Sequence, residues 1–189
     1  MSSLDSGTSF KMPCLGSYAT IFTVYTWCST ILLCQLAKIA TPPKESLLQV
    51  HEIEKLSFED PYPAWYIRAL YSLAGNLFIA AYNAEGEIIG YAVAVPKYDR
   101  VCHIASIAVH PRCRRRGIGR ALLESLEELC AAEGHDICIL EVNYTNWPAL
   151  NLYQSSGYRW FMLIPNYYGP GKHAIAMVKL CRSQVLVPG

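Results

Sequence analysis

Hydrophobic positions recur along the chain with two periods, and the order of these periods predicts an α/β domain. Leu47, Val50 and Ile53 follow helical spacing, whereas the segment VCHIASIAV alternates as a strand does. In chain order the pattern predicts a strand over 32–40, helices over 47–56 and 65–72, strands over 77–82, 87–95 and 101–109, a helix over 119–132, a strand over 136–142, a helix over 146–157, and strands over 158–163 and 173–180. This order, β-α-α-β-β-β-α-β-α-β-β, predicts a mixed sheet with helices on both faces.

Two of these elements carry more detailed expectations. The helix over 119–132 is amphipathic, because Leu122, Leu126 and Leu129 share one face. The segment DICILEV is nearly all apolar, so we expect both faces of its strand to be covered.

Composition and charge narrow the class of protein. The 189 residues suit a single α/β domain, and 52% hydrophobic against 16% charged residues excludes a disordered chain. The 16 basic and 15 acidic residues leave a net charge of +1, so the chain lacks the basic surface of a nucleic-acid-binding protein. We therefore expect no nucleic-acid partner.

Eight cysteines are scattered without a C-x-x-C pair or a Cys/His cluster at metal spacing. We interpret them as small buried apolar residues in a reducing, cytoplasmic compartment, and we expect no metal site. One or two disulfides remain an alternative.

The first residues differ from the rest of the chain. No charged residue occurs between Lys11 and Lys38, which raises a membrane span or an uncleaved signal as an alternative. Polar residues interrupt the apolar run, and its last part is needed as a strand. We therefore favour an N-terminal extension over 1–31, translated from a misplaced start or serving another role, followed by a catalytic domain over 32–182 and a tail over 183–189.

The segment RRRGIGR follows a strand and opens a helix. Such a loop gathers unpaired backbone N–H groups and the positive end of the helix dipole, and these bind phosphate groups. Gly117 and Gly119 let the main chain approach an anion closely. A solvated basic turn is the alternative; the pattern is neither a Walker loop nor a Rossmann fingerprint.

The stretches IAVHPRCRRRGIGRALL and LEVNYTNWPALNLYQSSGY together resemble the acyl-CoA-binding core of the GNAT N-acetyltransferases, and within them the RimI and archaeal Ard1-like protein N-terminal acetyltransferases. The likeness extends from about Leu32 to Leu180. It implies the GNAT fold, acetyl-CoA as acetyl donor, a pyrophosphate held by loop amides, and a pantetheine arm paired with the preceding strand. The cofactor-binding residues that match by position are Ile107, Ala108, Val109, Arg115, Arg116, Gly117, Ile118, Gly119, Arg120, Asn146 and Tyr153.

Three side chains are candidates for the chemistry of amide formation. Strand alternation puts His103 on the face of Ala105, Ile107 and Val109, and puts Glu141 on a matching face of the neighbouring parallel strand, so the two can meet. We expect burial to raise the pKa of Glu141 towards that of a useful base. A solvated strand-end carboxylate and a core histidine are the alternatives, and two such ligands make no convincing zinc site.

The resemblance assigns a role to each candidate. It implies that Glu141 and His103 activate the amine through an ordered water, and that Tyr153 donates a proton to the CoA sulfur; a tyrosine packed in the core is the alternative. The oxyanion would be held by a main-chain N–H near Val109.

Two aromatic loops resemble the peptide-binding loops of these enzymes. Tyr62 lies in SFEDPYP and Tyr168, the better matched of two tyrosines, lies in PNYYG; with Ile107 and Glu141 they are the predicted substrate-binding residues. Asn143 stands where RimI-like strands carry arginine, and Asp60 stands near a functional glutamate of the Ard1-like branch. The preferred N-terminal residue, whether Ser, Ala or Met or a ribosomal-protein alanine, is thereby left open.

The predicted activity is transfer of acetyl from acetyl-CoA to protein N-termini, in a ternary complex, because no cysteine occupies a matched catalytic position. The expected partners are peptide N-termini, including those of ribosomal proteins or nascent chains, rather than a membrane. The alternatives are acetylation of a small amine or a lysine side chain, and a non-catalytic CoA- or RNA-binding module.

Overall fold

A seven-stranded sheet organises the part of the chain that the computed structural model describes, residues 34–181. The strands are β1 (Lys38–Ala40), β2 (Phe78–Tyr82), β3 (Ile88–Tyr98), β4 (Val101–Val109), β5 (Ile137–Asn143), β6 (Arg159–Ile164) and β7 (Ala174–Leu180). The helices are α1 (Leu47–Ser57), α2 (Ala64–Ala74), α3 (Ile118–Ala132) and α4 (Trp147–Ser155). The predicted N-terminal extension over 1–31 and tail over 183–189 lie outside the described residues.

The strand order is β1-β2-β3-β4-β5-β7-β6, and among these pairs only β4 with β5 is parallel. The mixed sheet predicted from the sequence is thus confirmed, and most predicted ends move by one or two residues. The first strand is an exception, because β1 pairs with only three residues of β2. The third predicted strand, over 87–95, is also an exception, because β3 continues past Pro96. Pro96 lies opposite Cys102, next to a register shift where the missing N–H of proline is tolerated.

An extra residue in β4 changes which side chains share a face. Val93 of β3 lies opposite Ser106, but Ala94 lies opposite Ile104, so Ala105 is a bulge. Counting along the register, His103 and Ser106 share one face, whereas Ile107 and Val109 lie on the other. The expectation that simple alternation unites His103 with Val109 is therefore wrong.

Helices cover the two faces unequally. Helices α1 and α2 pack on β2, β3 and β4, and α3 packs on the opposite face of the same strands. Leu122 of α3 lies against Gly90, where an added Cβ would come within 3.1 Å of its Cδ1 and 3.0 Å of the Ala108 carbonyl oxygen, so this close packing requires glycine. The predicted apolar face of α3 is confirmed for the fully buried Leu122 and Leu126, with Leu129 half-buried.

Strand β5 is covered on one face only. Cys138, Leu140 and Val142 are buried, whereas the alternate residues, including Ile139 and Glu141, are half-buried. The expectation of two covered faces is therefore wrong for this strand, because α1 and α2 extend over β3 and β4 and leave the same face of β5 open. This uncovered strip is where the candidate site lies.

The cysteines divide into a disulfide and a set of thiols. Cys34, before β1, is bonded to Cys113, which lies between β4 and α3 at a sequence separation of 79. The alternative of a disulfide is thus realised. Four other cysteines are buried thiols, as the sequence predicts: Cys102, Cys130, Cys138 and Cys181.

Two kinds of feature are absent from residues 34–181. No helix there is long and apolar enough to cross a membrane. Within the same range, His, Cys, Asp and Glu side chains do not gather in groups of three that could hold a metal ion.

Replacing both Cys34 and Cys113 with serine should lower the free energy of unfolding by about 2–4 kcal/mol, because the bond closes a long loop of the unfolded chain. Urea unfolding measures the change. Adding a reductant should bring the wild-type protein to the value of the double variant and leave the variant itself unchanged. A wild-type midpoint insensitive to reductant would contradict the expectation.

Candidate active site

The parallel strands β4 and β5 separate before they end. They pair only from Val101 with Ile137 to His103 with Ile139, although β4 continues to Val109 and β5 to Asn143. The carboxyl ends of the two strands therefore bound a wedge in the sheet. Backbone groups of β4 that face this wedge have no hydrogen-bond partner on β5, so they need a different hydrogen-bond partner.

The hydrogen bonds of β4 show which amides face the wedge. His110 N–H donates to the Ile89 carbonyl of β3 at 2.9 Å, so strand alternation directs the N–H groups of Val109 and Ile107 away from β3 and towards the wedge. The Val109 carbonyl accepts from Arg114 Nε at 3.0 Å. Ala108 lies between them and directs its backbone to β3. Of the three predicted strand residues, Ile107 and Val109 thus offer an amide to a ligand in the wedge.

His103 and Glu141 meet at the base of the wedge, with 2.5 Å between Nε2 and Oε2. Their side chains are 23% and 12% exposed, so both remain accessible. The hydrogen bond and positive field of His103, with a contribution from Lys97, lower the pKa of Glu141 despite its partial burial. The expectation of a raised pKa is therefore wrong: the histidine partner outweighs desolvation. Glu141 is therefore ionised at neutral pH, and its carboxylate accepts the hydrogen bond that it shares with His103 Nε2.

Tyrosines from two loops wall the space above this pair. Tyr168 OH donates to the Glu141 backbone carbonyl at 3.1 Å, and Tyr167 OH lies 3.5 Å from Glu141 Oε2. Burial, with the nearby Tyr66 and two carboxylates, raises the pKa of Tyr62 to about 12. Sequence comparison favoured Tyr168 and missed Tyr167, whose hydroxyl lies nearer the carboxylate. The signal that pointed to Tyr167 was its place beside Tyr168 in PNYYG.

An ion pair joins the same two loops. Lys172 Nζ, in the loop between β6 and β7, lies 2.9 Å from Glu59 Oε2, in the loop between α1 and α2. Asp60 is 4.0 Å from the same amine. The ion pair therefore ties the two loops together near Glu141, and Asp60 adds its charge to it. We call the space bordered by Tyr62, Tyr167 and Tyr168 in front of Glu141 the slot. The Asn143 side-chain oxygen accepts from Thr145 and shapes the turn into α4.

The glycine loop reaches the other face of the sheet, at the start of α3. Gly117 has φ 82° and Arg115 has φ 64°, both left-handed, and Gly117 caps the helix without a side-chain hydrogen bond. The first amides of α3, from Ile118, Gly119 and Arg120, are thus available to an anion. The Arg120 side chain instead donates to Ser155 Oγ at 2.6 Å and ties α3 to α4.

Helix α4 brings Tyr153 and Asn146 to this side. Tyr153 is buried beside the ring of Tyr158, and burial alone raises its pKa, so its phenol stays protonated. Asn146 caps the helix, because its Oδ1 accepts from Ala149 N–H at 3.2 Å. Its side-chain NH2 group, rather than Oδ1, remains available to donate a hydrogen bond to a cofactor.

The chain is similar to known acetyltransferases over most of its described length. The acetyltransferase (GNAT) family model matches residues 47–158. The chain belongs to the GNAT acetyltransferase family. GNAT enzymes take the acetyl group from acetyl-CoA, and the amides of the wedge and of the α3 N-terminus fit that donor.

Individual relatives agree with this GNAT assignment. An uncharacterised N-acetyltransferase of Methanocaldococcus jannaschii is 37% identical over 69% of this chain and 83% of its own length. An N-alpha-acetyltransferase of Sulfolobus acidocaldarius is 30% identical over 68% of this chain and 83% of its own. Among solved structures, Ard1 from Thermoplasma volcanium superposes with a TM-score of 0.73 at 26% identity, covering 76% of this chain and 96% of its own. The resemblance to the Ard1-like branch of the GNAT family is confirmed.

Gly117→Ala should weaken coenzyme A binding about tenfold, because alanine is strained at φ 82° by about 1–2 kcal/mol and the loop will relax away from the shape that gathers its amides. Isothermal calorimetry with coenzyme A measures the change. Gly86→Ala is the matched control: it has the same φ, lies in the β2–β3 turn, and a Cβ at either glycine meets nothing within 4 Å. Equal affinities for the two variants would contradict the assignment.

Proposed function

We propose that this GNAT enzyme acetylates the α-amino group of protein N-termini by direct attack in a ternary complex, within a domain spanning 32–182. The observation that carries the proposal is the ionised Glu141, bonded to His103, at the base of a tyrosine-walled slot. An extended N-terminus can enter such a slot. The name of the Sulfolobus acidocaldarius relative, an N-alpha-acetyltransferase, supports the same acceptor class.

The acceptor amine enters as an ammonium ion and must lose a proton before it attacks. The Glu141 carboxylate accepts that proton, directly or through a water, and His103 holds the carboxylate in place and in its ionised form. Since the pair lies on the α1–α2 face of the sheet, the amine approaches the thioester from that face.

Attack of the amine nitrogen on the thioester carbonyl forms the new C–N bond and an oxyanion. Val109 N–H, which faces the wedge, donates to this oxygen. When the tetrahedral intermediate breaks the C–S bond, the CoA thiolate leaves, and the protonated phenol of Tyr153 supplies its proton. The attacking nitrogen loses its second proton to solvent, and solvent returns a proton to Tyr153. The products are an N-acetylated peptide and free CoA.

On the donor side, we assign the pyrophosphate to the amides from Gly117 to Arg120 and the pantetheine arm to Ile107 and Val109. Asn146 would donate to the cofactor through its side-chain amide. On the acceptor side, we assign the peptide to Tyr62, Tyr167 and Tyr168. N-termini that begin with Ser, Ala or Met are the proposed substrates, with ribosomal proteins and nascent chains as the proposed partners.

The acceptor class can be tested with two peptides of one sequence, each with an internal lysine and one with a blocked N-terminus. Labelled acetyl-CoA should acetylate only the free N-terminus, because the slot admits an extended chain end. Mass spectrometry locates the label. Label on the blocked peptide would show lysine acetylation and overturn the N-terminal assignment.

Glu141→Gln should lower kcat about 10²–10⁴-fold on the free peptide, because it removes the proton acceptor and keeps the shape. Steady-state kinetics measures the loss. The matched control is Glu85→Gln, the same substitution in the exposed β2–β3 turn, which should leave kcat unchanged. Full activity of Glu141→Gln would remove this residue as the base.

The pH profile tests the role of His103. Activity requires ionised Glu141 and is therefore lost as the pH falls through its pKa, which His103 lowers. His103→Ala should raise that pKa and move the acid limb of the kcat/KM profile to higher pH. Glu141→Gln, which does not ionise, should lack this limb. An unmoved limb in His103→Ala would show that the pair does not set the protonation state.

A further inference from the structure

A buried carboxyl group lies behind the acceptor slot, outside the machinery assigned so far. Glu54 of α1 is 2% exposed, and burial is the main influence on its pKa, which is raised. None of the ion pairs found within residues 34–181 includes Glu54. A buried carboxyl without a cation costs stability, and an apolar residue of similar size is often at least as stabilising in such a place. The fold alone therefore gives no reason for an acid here.

The two oxygens of Glu54 connect the slot to the strand that carries the chemistry. One accepts from the backbone N–H of Tyr62 at 3.0 Å. The other accepts a short hydrogen bond from Tyr91 OH of β3, which in turn lies 2.8 Å from Ser106 Oγ. Ser106 follows the Ala105 bulge directly and precedes Ile107, whose amide faces the wedge.

Tyr62 therefore stands between two carboxyl groups, with Glu54 behind it and Glu141 in front. Both are close enough to raise the pKa of its phenol. Tyr91 and Ser106 are buried as well, so this chain of hydrogen bonds is shielded from water and its geometry is well defined. A substitution of Glu54 would therefore alter the hydrogen bonds of both the Tyr62 loop and the β4 bulge.

We propose that Glu54 is a positioning residue for the acceptor peptide: through Tyr62 on one side, and through Tyr91 and Ser106 on the other, it fixes the α1–α2 loop at a set distance from the β4 bulge. The width of the slot in front of Glu141 follows from that distance. The inference rests on the proposed acceptor slot, and it assigns Glu54 no contact with the reacting atoms.

Steady-state kinetics with a peptide bearing a free N-terminus separates positioning from folding. Glu54→Ala leaves a buried N–H and a buried O–H without acceptors, so KM for the peptide should rise about tenfold, while kcat and KM for acetyl-CoA stay within about twofold. Glu54→Gln keeps an acceptor for Tyr62 N–H and should recover peptide KM to within about threefold of wild type. Tyr91→Phe removes only a hydroxyl and should raise peptide KM several-fold, which keeps the inference testable if Glu54→Ala folds poorly.

Tyr71→Phe is the matched control. It also removes one phenol hydrogen bond, from Tyr71 OH to the Pro42 carbonyl at 2.9 Å, but it does not touch the Glu54 chain. Its peptide KM should equal that of wild type. If Tyr71→Phe and Tyr91→Phe raise peptide KM alike, or if Glu54→Ala changes both KM values and kcat together, Glu54 is merely structural and the proposal is overturned.

Amide hydrogen exchange supplies a readout that needs no substrate. The Tyr62 amide should be protected in the wild-type protein, should exchange at least tenfold faster in Glu54→Ala, and should be unchanged in Tyr71→Phe. An unprotected Tyr62 amide in wild type would overturn the inference. A wild-type enzyme that acetylates no free N-terminus, yet shows this exchange pattern, would instead refute the proposed function and leave the anchoring of the loop by Glu54 standing.

Discussion

The site depends on the short pairing between β4 and β5. Parallel strands that stayed paired to their ends would saturate the amides of Ile107 and Val109 and leave no space between them. Because pairing stops at His103, those amides face an opening, and the side chains at its base meet across the two strands. One departure from regular sheet geometry therefore leaves two amides without strand partners and brings His103 and Glu141 together.

The bulge at Ala105 divides this opening between the two faces of the sheet. It turns His103 and Ser106 towards the α1–α2 face and Ile107 and Val109 towards the α3 face. Glu141 and the tyrosine loops lie on the first face, and the glycine loop and Tyr153 lie on the second. The hydrogen bonds from Glu54 through Tyr91 to Ser106 end at this bulge, so the bulge is also tied to the α1–α2 loop that carries Tyr62.

Sequence patterns predicted the elements well, because helical spacing and strand alternation are local. The loop and helix start around Gly117 were also predictable, since glycines between a strand and an amphipathic helix are a local signal. Alternation failed beyond Ala105, because one inserted residue inverts every later position without changing the apolar pattern. The meeting of Glu141 with His103 was expected, but the direction of the Glu141 pKa shift was wrong, because the hydrogen bond from His103 outweighs desolvation. Nothing local in the sequence marks Glu54 as buried, since charged residues flank it in α1, and the Cys34–Cys113 pairing joins residues with no local relation.

The wedge opens to both faces of the sheet, and this affects how the two substrates enter and leave. A nucleotide bound at the start of α3 and a polypeptide bound between the tyrosine loops would enter from opposite faces of the sheet. CoA could then dissociate and acetyl-CoA could bind while the protein product was still between the tyrosine loops. The two products would accordingly have no fixed order of release, although each cycle still ends with departure of the acetylated protein, because a chain has one N-terminal amine.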